Sequence, residues 1–163
     1  MVDDSLITED LRSKIGIELE SVICKVEQGM IQRFVLAIDD PNSLWQDEEL
    51  AGKGRYGGIV APPTFILTVG FEQMQQQRAA LALMPYEGGL HGGTELECYQ
   101  PVRPGDVITG IPKVVDIRER QSQRMGKMLF MTVELTYKNQ RQELVAKCRQ
   151  MFIRYKVEGT EHG

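Results

Sequence analysis

The spacing of apolar and polar positions changes several times along these 163 residues, and each change marks an element. Thr8 is a candidate cap for a short helix whose first turn holds Glu9 and Asp10, acidic side chains that favour the positive end of the helix dipole. Gly16 is placed to stop that helix. Over residues 18–26 the chain alternates, with Val22, Cys24 and Val26 on one side, which predicts a strand. The period then becomes helical: Ile31, Phe34, Val35 and Ile38 fall on one face, and Pro41 requires the helix to end before it. Asp47, Glu48 and Glu49 open a further short helix that closes at Gly52 and Gly54.

Pro62 and Pro63 lack amide hydrogens and fix φ, so they suit a helix entrance. Residues 64–84 contain no further proline and predict one long helix. Its first half, with Phe65, Ile66, Leu67, Val69 and Phe71, is apolar nearly all round; from Gln73 onward it turns to water. The remainder predicts strands. Thr94, Leu96 and Cys98 alternate with Glu95, Glu97 and Tyr99, and PVRPGD at residues 101–106 is turn chemistry. Residues 107–120 read as a long strand interrupted by Pro112, an imino acid that sits best at an edge or a bulge. Leu129, Met131, Val133, Leu135 and Tyr137 repeat at period two, and a turn at residues 139–142 leads into a last strand. A helix-rich half followed by long antiparallel strands gives an α+β class, expected as one domain over residues 1–163.

Composition narrows the functional classes. Hydrophobic content of 42% and charged content of 26% fit an ordinary soluble chain. A net charge of −4 offers no basic surface for a phosphate backbone, so no nucleic-acid partner is expected. Cys24, Cys98 and Cys148 are odd in number and far apart, which predicts small buried hydrophobes, not a disulfide framework or a zinc cluster. The acidic start MVDDSLITED lacks the pattern of a secretory signal, and no apolar run approaches the ~20 residues that span a bilayer. The expectation is a cytoplasmic protein without membrane contact. No metal-ligand cluster, P-loop, nucleophile elbow or GxGxxG pattern occurs, so neither metal nor cofactor is expected.

Four stretches in order, AIDDPNSLW, YGGIVAPPTF, LHGGTELECYQPVRPGDVI and the final strand pair with its Asn-Gln turn, resemble the N-terminal half-domain of MaoC-like hydroxyacyl dehydratases. The resemblance covers roughly residues 17–156. It implies a hot-dog fold, in which a curved antiparallel sheet wraps a long central helix. It also implies an acyl thioester as substrate, carried as acyl-CoA or acyl-ACP, and a homodimer or a heterodimer with a catalytic MaoC-like subunit.

In that family an Asp, and a His five residues later, handle the water added to or lost from a trans-2-enoyl thioester. Here Asp40 matches the Asp and Asn42 the following Asn, but Trp45 stands at the His position. Indole has one donor and no titrating group near neutral pH. The family's His-Gly step, whose amide polarises the thioester carbonyl, is replaced by Ala61-Pro62-Pro63, and proline has no N–H. The amides of Thr64 and Phe65 are the candidates to stand in. On the resemblance, Asp40 is the catalytic candidate, and Asn42, Trp45, Tyr56, Gly57, Gly58, Ile59, Val60, Thr64 and Phe65 line the substrate.

The reading that follows is an acyl-binding, non-catalytic half completed by a partner. Two others stay open: an autonomous hydratase or thioesterase using Asp40, and an acyl-CoA binding module without chemistry. Plainer roles also stand beside the functional ones, Asp40 as a turn former and Trp45 as a packing residue. His91 reads as an ordinary hydrogen-bonded residue. Met74, Met84, Met125, Met128, Met131 and Met151 read as core filling or as a pliable acyl pocket. Arg103, Arg118, Arg120, Arg124 and Lys127 read as a solvated face or as contacts for a CoA or carrier phosphate.

Overall fold

The computed structural model describes residues 5–72 and 88–156. Thr8 caps α1 (Glu9–Ser13), its hydroxyl accepting from the Leu11 amide at 3.2 Å, as the sequence predicts. Strand β1 (Val22–Lys25) is shorter than the alternation implied; upstream of it only a single bridge joins Glu18 to Lys113. Helix α2 (Gln28–Ile38) buries Ile31 and Val35, while Ile38, expected on the same face, lies 45% exposed at the helix end. A 3-10 helix (Ser43–Trp45) and α3 (Glu48–Lys53) follow, α3 capped by the Asp47 carboxylate accepting from the Glu49 and Leu50 amides.

The expected long helix begins differently. Pro63–Thr68 forms a 3-10 helix, which Val69 ends in extended geometry. Gly70 then turns the chain at φ 68°. That glycine is required twice over: its φ is left-handed, and a Cβ there would come 2.3 Å from Cγ2 of Val22. Phe71, expected inside, is 52% exposed beyond this turn. The part of the expected helix from Gln73 to Met84 lies outside the described residues, as do Met74 and Met84.

Strands β2 (Gly88–Cys98), β3 (Val107–Ser122), β4 (Gly126–Lys138) and β5 (Leu144–Tyr155) join β1 in one antiparallel sheet, ordered β1-β3-β4-β5-β2. The sheet is a curled half-barrel, the α+β arrangement the sequence predicts. Pro112 does not interrupt β3, which pairs with β4 across it at Leu135. Its carbonyl accepts from Leu19 on the side away from β4, so its missing N–H also points there and costs no β3–β4 bond. The bulge falls slightly later, between Val114 and Asp116.

One face of the sheet forms the core. Leu129, Met131, Val133, Leu135 and Tyr137 of β4 are all buried, as their period predicts, and cluster with Ile31, Val35, Phe65, Ile66 and Val69. Phe34 meets Phe65 edge to face, centroids 5.7 Å apart. Burying each such side chain contributes roughly 1.5–3 kcal/mol. Of the cysteines only Cys148 is buried; Cys24 is half-buried, and Cys98 is exposed like most of the edge strand β2.

Candidate functional site

Asp40 lies where α2 gives way to a loop. Asp39 closes the helix in left-handed geometry, φ 51°, and the Asp40 amide reaches back to the Val35 carbonyl at 3.3 Å. Both oxygens of its carboxylate are engaged. Oδ1 accepts from the Asn42 amide at 3.0 Å, forming a side-chain turn, and Oδ2 accepts from the indole Nε1 of Trp45 at 2.8 Å. The Asp40 carbonyl accepts from Nε2 of Gln46 at 2.9 Å. Asn42 is used in the same turn: its Oδ1 accepts from the Leu44 amide at 3.0 Å and caps the short 3-10 helix that carries Trp45 back toward Asp40.

Beside this corner lies a half-open cavity of about 200 Å³. Its floor is apolar and buried, made by Val60, Ala61, Ile66, Val102, Val145 and Ala146. Trp45, Arg55, Tyr56, Tyr99 and Gln100 stand around it. Of the residues nominated from sequence, Trp45, Tyr56 and Val60 line the cavity. Asp40 touches it through the Trp45 indole. Ile59 and Phe65 are buried, Phe65 against Phe34. Gly57 turns the loop at φ 66°, its amide donating to the Gly54 carbonyl at 3.1 Å, and Gly58 follows it. Thr64 is exposed on the 3-10 helix, and Asn42 is exposed in its turn.

Hydrogen-bond donors are scarce around the floor. Pro62 and Pro63 have none; the Phe65 amide, a candidate replacement, donates to the Pro62 carbonyl at 2.9 Å. The Ala61 amide is bound to the Val102 carbonyl at 2.8 Å. None of these four residues offers a free amide to a thioester carbonyl.

Among the lining residues that escaped the sequence reading are Arg55, Cys98 and Tyr99. Arg55 places its guanidinium 5.1 Å from the ring centroid of Tyr56; its neighbour in the glycine-rich loop was the available signal. Cys98 and Tyr99 come from the end of β2, just before the PVRPGD turn, where a strand leaving the packed face opens onto a cleft. Partial desolvation at the cavity edge pushes the Cys98 thiol up, although the residue is exposed, and this disfavours a thiolate near neutral pH. The Tyr99 hydroxyl donates to Oε2 of Glu97, and that hydrogen bond raises its pKa.

The other candidates lie elsewhere. His91 Nε2 pairs with Thr94 Oγ1 at 2.8 Å, and its ring meets Phe152. Arg118 pairs with Asp116 at 2.7 Å, Arg120 lies over Phe130, and Lys127 faces Glu119 at 3.7 Å. Arg118 and Arg120 line a separate, broader groove on the sheet, whereas Arg103 belongs to the turn at residues 101–106. Among the described residues no cluster of three or more potential ligands is placed to hold a metal, and no helix is long and apolar enough to cross a membrane.

Residues 13–148 match the family described as FAS1-like, dehydratase domain region. A probable enoyl-CoA hydratase alpha subunit of Thermomonospora curvata is 30% identical over 149 residues, a match covering 83% of this chain and 47% of that relative. This chain therefore corresponds to about half the length of that protein. A MaoC-like dehydratase from Rhodospirillum rubrum superposes with a TM-score of 0.60 at 25% identity, over 89% of this chain and 94% of that one. A chain of the ChsH1-ChsH2 complex from Mycobacterium tuberculosis superposes with a TM-score of 0.69 at 21% identity, over 88% and 87% of the two chains.

Proposed function

This chain belongs to the FAS1-like dehydratase-region family, with the MaoC-like hot-dog fold, and from that premise we propose that it is the acyl-thioester-binding, non-catalytic half of an (R)-3-hydroxyacyl thioester dehydratase. A partner MaoC-like subunit supplies the acid and base. Hydration of a trans-2-enoyl thioester places the oxygen of water on the β-carbon and a proton on the α-carbon, so one group must take a proton while another delivers one. The observation that carries the reading is the 2.8 Å bond from Trp45 Nε1 to Asp40 Oδ2. An indole keeps its proton at any physiological pH, so this pair cannot relay one. The second carboxylate oxygen is spent on the Asn42 amide.

The helix entrance agrees. Pro62 and Pro63 offer no N–H, and the Phe65 amide is used internally, so a developing oxyanion finds no amide from them. What remains fits a binding role: a buried apolar floor with aromatic walls. The likeness to one chain of a complex of two different subunits supports completion by a partner.

The test is hydration of crotonyl-CoA by the purified chain, alone and after mixing with a MaoC-like subunit that carries both Asp and His. Background rates alone, with turnover appearing on mixing, are expected. Turnover by the isolated chain that disappears in Asp40→Ala would instead make Asp40 the working carboxylate of an autonomous enzyme.

A further inference from the structure

The cavity beside Trp45 has an apolar floor and one cation at its edge. Its backbone donors are largely spent: Ala61 N on Val102, and Tyr99 N and Gln100 N on the Val145 carbonyl at 2.9 and 3.2 Å. The Trp45 indole is held by Asp40, and the Tyr99 hydroxyl by Glu97. Arg55 differs. Its guanidinium rests on the Tyr56 ring, and no carboxylate among the described residues lies within ion-pair distance of it. An arginine stacked on an aromatic ring keeps its planar fork of N–H donors directed outward, a geometry suited to phosphate. Lys53, two residues earlier, is by contrast paired with Glu49.

Size decides which part of a thioester fits here. The space is about 200 Å³, below the roughly 300–1,000 Å³ of sites that enclose whole ligands. An extended phosphopantetheine arm separates its phosphorus from its sulfur by roughly 15 Å, given covalent bonds of about 1.5 Å. One small cavity cannot hold both the thioester and that phosphate. The fragment that matches an apolar floor with a cation at the edge is the gem-dimethyl group of the arm and the phosphate ester next to it.

Resting on the reading above, we propose that Arg55 anchors the phosphate of the phosphopantetheine arm, with the gem-dimethyl group against Val60, Val102 and Val145. The arm's sulfur then lies well outside this cavity, toward the partner's acid and base. The corner that in relatives performs the proton exchange is in this chain a dock for the substrate's carrier. The arm is common to CoA and acyl carrier proteins, and the anchor reads either.

Calorimetry on the full chain tests it, comparing pantetheine, phosphopantetheine, CoA and dephospho-CoA with wild type, R55A and R55K. Phosphopantetheine is expected to bind about tenfold more tightly than pantetheine, with Arg55→Ala removing the difference and Arg55→Lys keeping part of it. Dephospho-CoA is expected to bind like CoA. An R55A protein that still discriminates between the two arms overturns the assignment, and so does dephospho-CoA binding as weakly as pantetheine, which would make the nucleotide's phosphate the anion read. Titrations of butyryl-CoA and a butyryl carrier protein name the source: a loss in R55A with either supports the anchor, and no loss with both overturns it. Butyryl-pantetheine separates the two failures. If it binds while phosphate makes no difference, Arg55 alone is misassigned; if it binds neither the chain nor the chain with its partner, the thioester reading falls and this assignment with it.

Discussion

The indole Nε1 of Trp45 donates to Oδ2 of Asp40 at 2.8 Å, across five positions of chain and one short 3-10 helix. The bond satisfies a half-buried carboxylate with a donor that never titrates. It fixes this corner of the loop, and its consequences can be measured.

Trp45 is the single tryptophan of the chain, so intrinsic fluorescence reports on this corner alone. Asp40→Ala removes the acceptor of the indole and is expected to shift the emission. The loop should loosen by about 1 kcal/mol, the usual net worth of such a bond, read by urea unfolding. Activity of the complex with a partner should be unchanged; loss of turnover in the complex would return Asp40 to the chemistry.

Replacing Trp45 by His restores the family's side chain but not its amide. Trp45→His alone is expected to leave crotonyl-CoA hydration by the isolated chain at background. Pro62 and Pro63 still supply no N–H, and the loss of one oxyanion donor typically costs about 3 kcal/mol of transition-state stabilisation. Measurable turnover from the single variant would show that another group polarises the carbonyl.

Gly70→Ala should destabilise the fold by about 2 kcal/mol or more, since it combines a left-handed φ with a Cβ 2.3 Å from Val22 Cγ2. Val22→Ala removes the two Cγ contacts but leaves the approach to the Val22 Cβ at 2.6 Å and the backbone strain. In a double-mutant cycle the glycine substitution should therefore cost less in the Val22→Ala background; equal costs would deny the contact.

The hairpin between β4 and β5 predicts an acid dependence. Arg141 first, and then the Asn139 side chain, hold the Glu143 carboxyl below its ordinary 4.5. A lowered folded pKa contributes stability that is present above the unfolded value and is lost as pH falls through the folded one. The difference in stability between wild type and Glu143→Gln should therefore be constant near neutrality and shrink below about pH 4.5. A difference that persists into strong acid would assign it to Asn139 geometry instead. Salt should weaken it, because the pair is exposed.

Cys98 offers a chemical probe of the cavity. Partial desolvation raises its thiol, so in a Cys24→Ser background alkylation by iodoacetamide should be slow at neutral pH and accelerate only above the ordinary thiol range of about 9. A bound acyl thioester should protect it. Undiminished labelling in saturating butyryl-CoA would place the ligand elsewhere.

Much of the architecture was legible because local rules and packing agreed. Thr8 caps α1, Asp47 caps α3, and five alternate residues of β4 point into the core, each from a short-range pattern that the fold did not override. The long helix after Pro63 was misread at its start for a tertiary reason: Gly70 is bent to fit against Val22, a residue 48 positions earlier that no local period reveals. The site divided the same way. Trp45, Tyr56 and Val60 were reached through a motif, whereas Cys98, Tyr99 and Val145 come from strand ends brought together only by the pairing of β2 with β5. Arg55 had only its place beside Tyr56 in the glycine-rich loop as a signal; its meaning depends on which carboxylates fail to reach it.

The imino acid on the outer side of β3 bears on how copies of this chain associate. Past the four-residue β1, residues 16–19 cover part of that margin, with Gly16 and Leu19 donating to the Val114 and Pro112 carbonyls, while β1 itself has β3 as its single neighbour among the described residues. At the opposite margin β2 has β5 as its single neighbour among the described residues. A ribbon with two receptive margins can add subunits without limit, as fibres do. Here the two margins are unequal templates, four residues at β1 and eleven at β2, so the longer one offers more backbone pairing to a companion strand.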